Sequence, residues 1–433
     1  MRFIADLHIH SHYSRATSRD CRPDELHLWA AYKGISLLGT GDFTHPIWRE
    51  ELKTKLRPAG DGVYELKNEF RAEGGDVIPW AARAQVFFMV TGEISTIYKK
   101  NGRVRKLHNL IILPSLDDAE RLSRRLGTIG NLDADGRPVL SIDSAELLKI
   151  VLDECGDAIF VPAHIWTPHF SVFGAHSGFD SIDECYGDLV NKIYTLETGL
   201  SSDPPMNWRL SSLDRFVLTS NSDAHSTANL GREANIFDTE ISFPAIYDAL
   251  KRKDRDKFIG TLEFYPEEGK YHYDGHRACG IRWTPAQTRA AGGICPVCGR
   301  RVTVGVLHRV EELADRPEGT KPPSARHFES LIPLAKIISS ALDVGEKTKG
   351  VQRHYFDLLK ELGPELTILR ETPIEEIERI AGPDIAEGVR RARTGEVNIM
   401  PGFDGEYGKV EVFPSRWCLS NFNARQDEVF PSD

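Results

Sequence analysis

Short apolar runs that end beside a histidine or a carboxylate recur through residues 1–265, and this pattern restricts the fold more than any other feature of the chain. The runs are Phe3–Ile9, Ile35–Gly39, Val86–Gly92, Leu107–Leu113, Ala158–Ala163, Ile193–Leu196 and Phe216–Ser220. Segments with helical patterning lie between several of them, at Pro23–Lys33, Leu116–Leu126, Ser144–Glu154 and Phe243–Lys253. Strand-length apolar runs alternating with helices predict parallel β/α units. Seven such units suit a closed or nearly closed α/β barrel, whose chemistry sits at the C-terminal ends of its strands. Acids and histidines gather at those ends here.

The first run carries His8 and His10. Residues two apart in a strand point to the same side, so both imidazoles face one way, the usual beginning of a transition-metal site. Asp42 and His45 follow the second run, Glu93 the third, His164 the fifth, and Asp223 and His225 the seventh. His108 opens the fourth run and must be bent inward to join them. These nine candidate ligands exceed the four or five that one zinc uses, so two or three divalent ions are expected, with Glu93 bridging. Mixed imidazole and carboxylate ligation suits Zn, Mn or Fe better than Mg alone. Clustered divalent ions activate a water and neutralise phosphate oxygens in an in-line displacement.

The composition changes beyond residue 265. Lys270–Arg309 carries a net charge of +6 in a chain of 433 residues whose net charge is −10. Within it, Cys295-Pro296-Val297-Cys298 is flanked by glycines and His276-x-x-Cys279 supplies a second pair, which predicts a four-coordinate structural zinc. His272 or Asp274 could take the place of His276. A second basic stretch, Lys99–Lys106, has five cations and no acid; such a run is usually a solvated loop, but its place between two candidate ligands favours phosphate contact. His164–Phe170 sets aromatic side chains directly after a ligand, to stack on a base or to pack the loop. Gly402–Lys409 superficially resembles a phosphate loop, but its glycine spacing is too long and Val410 follows the lysine.

The domain expectation is a barrel over 1–265, a zinc-binding domain over 266–322, a helical domain over 323–413 and a tail over 414–433. The helices are expected at Phe328–Leu342, Gln352–Leu362, Ile374–Ala381 and Ile385–Thr394. Seven cysteines, an odd count in a long chain, argue for free or metal-bound thiols. Asp6 interrupts what would be the apolar core of a signal peptide, and no apolar stretch nears the roughly 20 residues of a membrane helix. A cytoplasmic chain without a membrane partner is expected.

The His8–His10 start, Glu93 followed by His108, the lone His164 and Asp223-Ala224-His225 together resemble the polymerase-and-histidinol-phosphatase (PHP) family of phosphoesterases. That resemblance implies a distorted seven-stranded β/α barrel with a trinuclear metal centre. One departure is visible: the family's Asp-His pair after the second strand is here Asp42-Phe43, with a histidine only at 45. A resemblance extending to about residue 410 is carried by Gly269-Lys270-Tyr271-His272, His276, Cys279, Cys295–Gly299 and Arg309–Arg316. These segments are similar to the endonuclease Q family, in which a PHP barrel, a zinc-binding domain and a helical region are joined.

The resemblance implies a metal-dependent DNA repair endonuclease. It would hydrolyse the phosphodiester 5′ of deaminated bases (uracil, hypoxanthine, xanthine) or abasic sites, with Asp223, His225 and Glu93 as catalytic residues. DNA bearing such lesions is then the partner; a sliding clamp leaves no trace in the sequence. Two rivals are a PHP phosphoesterase acting on a small phosphorylated metabolite or nucleotide, and a DNA-binding subunit whose metals are only structural. The first leaves the basic zinc segment without a purpose, and the second leaves a near-complete ligand set unexplained.

Overall fold

The computed structural model describes residues 1–72 and 77–413, so the expected tail lies outside the described residues. Its centre is one mixed sheet of eleven strands. In chain order these are β1 (Arg2–Asp6), β2 (Leu37–Gly39), β3 (Leu56–Gly60), β4 (Val63–Leu66), β5 (Phe87–Lys100), β6 (Arg103–Leu113), β7 (Val139–Leu140) and β8 (Ile159–Pro162). A separate parallel pair, β9 (Thr195–Glu197) and β10 (Val217–Thr219), follows. The large sheet resumes with β11 (Ala234–Asp238) and β12 (Phe258–Glu263). Strands appear at all seven expected places.

The expectation of parallel units holds from β1 through β2 to β5 and for β9 with β10. It fails at β5–β6, β6–β8 and β1–β11, which are antiparallel. The physical reason at β5–β6 is the pair Asn101-Gly102, both at positive φ (53° and 73°). Two such residues make the tight turn whose twist matches a hairpin. The basic stretch 99–106 is therefore the tip of a long hairpin. Arg105 is buried there against Phe179 and donates to the Gly178 carbonyl, while Lys100 donates to the Cys185 carbonyl at 2.7 Å. Lys99 and Arg103 remain exposed.

Apolar residues cover both faces of the sheet. Along β6, Leu107, Ile111 and Leu113 join one core while Leu110 and Ile112 join another. Strands buried on both faces are what continuous apolar runs require. Helices Pro23–Lys33, Leu116–Leu126 and Ser144–Glu154 fall where the periodicity places them, the last two capped by Ser115 and Asp143 side chains.

Beyond β12 the chain forms a small hairpin, β13 (Asp274–His276) and β14 (Ile281–Trp283), which carries the cysteine knuckle. The next expected helix, 328–342, begins only at Leu334. The residues before it form β15 (His327–Ser330), which adds to β12 in parallel, with Thr261 opposite Phe328. Four more helices follow: Lys349–Leu362, Glu365–Arg370, Ile374–Ala381 and Pro383–Thr394. They dock on helix Pro23–Lys33 through Lys33, whose Nζ lies 2.6 Å from Glu365 Oε2 in a buried pair. Tyr355 Oη donates to the same oxygen at 2.6 Å and the Leu334 N–H to the other at 3.0 Å. A buried ion pair is tolerable when its remaining lone pairs are satisfied in this way.

Candidate metal centre

Three site residues occupy the left-handed region just past their strands: Asp42 (φ 48°), His164 (φ 31°) and Asp223 (φ 46°). Non-glycine residues held there cost on the order of 1–3 kcal/mol each and persist where the surrounding structure demands them. In each case the turn brings a side chain over the strand ends. Gly199 gives His164 its room, since a Cβ at that position would stand 2.3 Å from the His164 Cβ.

Two groups of ligand atoms converge at these ends, each gathered within 4.8 Å: His8, His10, Glu93 and Asp223, and Glu93, His108 and His164. Glu93 belongs to both. Its Oε1 faces His108 Nδ1 at 2.7 Å and His164 Nε2 at 3.0 Å, while its Oε2 faces His10 Nε2 at 3.5 Å. All these residues are buried except Asp223, whose side chain is 26% exposed, so the centre opens to solvent on that side.

The histidines are set by outer partners. Both oxygens of Glu197 lie 3.0 Å from His8 Nδ1. A carboxylate only accepts, so Nδ1 carries a proton and Nε2 is the nitrogen left for a metal. That Nε2 is buried with no hydrogen-bond partner, as a metal ligand would be before its ion is bound. Glu197 also accepts from the His164 N–H at 2.9 Å and from Asn221 Nδ2 at 2.9 Å. Asp42 Oδ1 does for His10 Nδ1, at 3.0 Å, what Glu197 does for His8.

The electrostatics favour a proton on His8 that a bound cation would have to displace from Nε2. Burial opposes the charge on His8, but Glu197 and Glu93 outweigh it and push its pKa well above the usual value. Burial likewise opposes ionisation of Glu93, yet His108, His8 and Arg137 hold it well below the usual carboxylate range. Burial brings His108 down to about 4, against the pull of Glu93, which keeps the ring neutral as ligation requires.

Not every expected ligand joins the two groups. The Asp42 carboxylate is already saturated: besides His10, its Oδ2 accepts from the Ser11 N–H at 2.7 Å, Ser11 Oγ at 2.6 Å and Ser14 Oγ at 2.9 Å. His45 turns away to cap helix Pro46–Lys55, its Nδ1 accepting from the Trp48 N–H, and stacks on Tyr13 at 4.3 Å. His225 stands beside the centre, its ring 4.4 Å from that of His10 and its Nδ1 3.6 Å from Asp223. His108 is bent inward as its placement demanded. Phe170 braces it at 4.7 Å, whereas Trp166 is buried against Phe173 and packs the loop.

Two residues of the centre are absent from the sequence-based set. Glu197 directly follows the sixth apolar run, so the rule that found the others applies to it equally. Arg137, which donates to Glu93 Oε2 at 3.0 Å, comes from a loop with no motif of its own.

The knuckle forms a second, separate cluster in which His276, Cys279, Cys295 and Cys298 lie together. His272 and Asp274 stand outside it, Asp274 accepting from His308 and from the Gly305 N–H. Burial opposes the Cys295 thiolate, but the Cys298 and Val297 N–H groups bring its pKa down to about 6, suiting it to a cation. The basic residues around the knuckle divide. Arg289 and Arg309 pair with Glu311 and Glu312, and Arg300 and Arg301 remain exposed.

Buried strand-end histidines around a shared carboxylate, with one open side, define a metal-dependent hydrolase of mixed α/β fold. Residues 333–396 match the family model described as the MJ0043 C-terminal domain. The chain is 30% identical over 421 residues to the uncharacterized protein YqxK of Bacillus subtilis, covering 95% of this chain and 99% of that one. It is 36% identical over 262 residues to the uncharacterized protein MJ0043 of Methanocaldococcus jannaschii, 32% of whose length is covered. Among solved structures it resembles the lesion-specific endonuclease PfuEndoQ of Pyrococcus furiosus, with a TM-score of 0.82 and 30% identity over 98% of this chain and 99% of that one. It also resembles an endonuclease Q solved with a 27-mer duplex carrying an abasic lesion at the active site, with a TM-score of 0.81 and 31% identity over 96% and 97%. The chain belongs to the endonuclease Q family.

Proposed function

We infer that this protein is a metal-dependent DNA repair endonuclease that cuts the phosphodiester 5′ of a deaminated base or abasic site. The observation that carries the reading is the full-length likeness to an endonuclease Q holding abasic duplex DNA, which includes the knuckle and the helical region as well as the strands. The seven strand positions are read as a distorted PHP-type barrel, followed by the zinc-binding and helical domains at the boundaries expected above.

His8, His10, Glu93 and Asp223 fit one divalent ion, and Glu93, His108 and His164 a second. With Asp42 saturated by donors, two ions suit the centre better than three. When bound, such ions supply an activated water and neutralise charge on the phosphate. Asp223 and His225 stand at the open side, where they orient the phosphate and the attacking water. The water oxygen bonds to phosphorus as the bond to the upstream O3′ breaks. One proton of the water passes to the leaving O3′ and the other is released to solvent, giving 3′-hydroxyl and 5′-phosphate ends. Glu197 and Asp42 keep His8 and His10 in the tautomers that face inward.

A cleft of about 780 Å³ opens beside the His164 loop, between the three regions of the chain, with Thr167, Phe264, Tyr271, Lys336 and Tyr407 among its walls. It has the size and aromatic lining to receive a nucleotide turned out of the duplex, a step made cheaper by weakened pairing. The knuckle, with exposed Arg300 and Arg301, supplies sequence-independent contact to the DNA backbone.

The test is a labelled duplex with one abasic site or deoxyuridine, incubated with Mn or Mg and with a chelator control. A single metal-dependent nick immediately 5′ of the lesion is expected. Uncut lesion DNA alongside turnover of small phosphomonoesters would hand the assignment to the small-substrate reading.

A further inference from the structure

Arg137 enters the centre along a path fixed by the sheet. β7 (Val139–Leu140) runs parallel to β5, with Ser95 opposite Val139 and Thr96 opposite Leu140. Two residues back along both chains, that register sets Arg137 beside Glu93. The approach loop is pinned at each step: the Arg137 N–H donates to Asp135 Oδ1 at 3.1 Å, the Gly136 N–H to the Tyr13 carbonyl at 3.0 Å, and the Ser95 N–H to the Pro138 carbonyl at 3.0 Å. Gly136 packs directly on Asp42, where a Cβ would stand 2.3 Å from Oδ2. The loop can come this close only because that residue has no side chain.

Its guanidinium is more than an ion-pair partner needs to be. Glu93 already faces four imidazoles, so one more donor adds little to its position. The guanidinium spends a single N–H contact on it, and among the described residues Glu93 is the only hydrogen-bond partner of that group. A guanidinium has five N–H donors in a planar fork that matches phosphate oxygens. The side chain is 26% exposed, as is that of Asp223, so part of the fork can be reached from solvent. Arg232, the other arginine near Asp223, is committed to the Ser222 and Asp223 carbonyls.

We propose that Arg137 is a catalytic residue that grips the non-bridging oxygens of the phosphodiester under attack and stabilises the charge they gain as the water oxygen adds. It forms and breaks no bond. The proposal rests on the phosphodiesterase reading above and assigns within it the fixed protein charge nearest the shared carboxylate. Preorganised donors aimed at developing charge are the strongest single contribution most enzymes make, with losses of about 10²–10³-fold when one is removed.

The test compares full-length wild type, Arg137→Ala and Arg137→Lys, each metal-loaded, with bound metal counted by mass spectrometry and folding checked by thermal melting. At saturating abasic duplex, Arg137→Ala should lower the single-turnover rate about 10²-fold with metal content unchanged, and Arg137→Lys should fall between it and wild type. Millimolar aminoguanidine should restore activity to Arg137→Ala and leave wild type unaffected, a response no purely structural role produces. The same comparison is run on bis(p-nitrophenyl) phosphate. If wild type hydrolyses this diester and leaves lesion DNA intact, the DNA reading falls and Arg137 is judged on the diester by the same criteria. The proposal is overturned by metal loss that tracks the rate, by failure of rescue, by an unchanged rate, or by a wild type that hydrolyses neither substrate.

Discussion

The two candidate metal clusters of this chain are built by opposite means. The centre at the strand ends collects buried imidazoles and carboxylates from His8 to Asp223, long separated in sequence, on a sheet that covers both faces with apolar side chains. The knuckle collects His276, Cys279, Cys295 and Cys298 from one short segment whose tip, Val297, is 67% exposed. The fold makes the first; for the second, an ion would make the fold. The first also has an open side at Asp223, as catalysis requires, whereas four protein ligands leave the knuckle none.

This contrast predicts how each cluster fails. Asp223→Ala should reduce cleavage of abasic duplex by at least about 10³-fold while leaving duplex binding and the thermal melt near wild type; nicking that persists in gel assays of the variant would remove Asp223 from the chemistry. Glu197→Gln, which touches no substrate, should cost about 10–100-fold in metal affinity or rate. Titrating Mn into the apo variant measures that loss, and an unchanged affinity would mean that His8 needs no outer partner. Cys295→Ser should release one zinc and expose residues 276–301 to protease. Duplex affinity should fall on the order of tenfold, with hydrolysis of a small diester intact. Loss of both activities together would show that the two clusters are one cooperative unit.

The smallest effect concerns a buried acid that neither cluster uses. Burial raises the Glu263 carboxyl to about 8, partly offset by the Thr261 hydroxyl that donates to it. A group that holds its proton more tightly when folded stabilises the protein at low pH, and the benefit is lost as pH rises through the folded value. Wild type should therefore lose stability between about pH 4.5 and pH 8 relative to Glu263→Gln. Melting curves should show the variant ahead by a few degrees at pH 8.5, on the order expected when several kcal/mol is lost across that pH window, and nearly level with wild type at pH 5.

Much of the strand-end centre is legible in the sequence because each ligand follows an apolar run. His8, His10, Glu93, His164 and Asp223 are found by that rule, and Glu197 obeys it too. Where a residue picked by the rule falls outside the two gathered groups, a local contact competes. Asp42 ends in the right place, but its oxygens are taken by Ser11, Ser14 and His10, and His45 serves the first turn of a helix instead. Arg137 was illegible, because its position depends on the β5–β7 register rather than on its neighbours. Strand direction was readable at Asn101-Gly102, a hairpin signal that the alternation of runs and helices obscured. At Phe328 helical patterning lost to tertiary pairing, since the edge of β12 offered backbone partners that a helix would have left bare.

That edge has a consequence for how the chain can be divided. The matched C-terminal family begins at residue 333, just past β15, whose hydrogen bonds belong to the large central sheet. A shortened gene ending before residue 327 would produce a sheet with the β12 rim bare, and bare rims recruit one another. Expression of the catalytic part alone should consequently yield aggregates unless β15 travels with it. The seam between these parts lies within a shared sheet, so recombination that trades one helical cap for another must carry those four residues across.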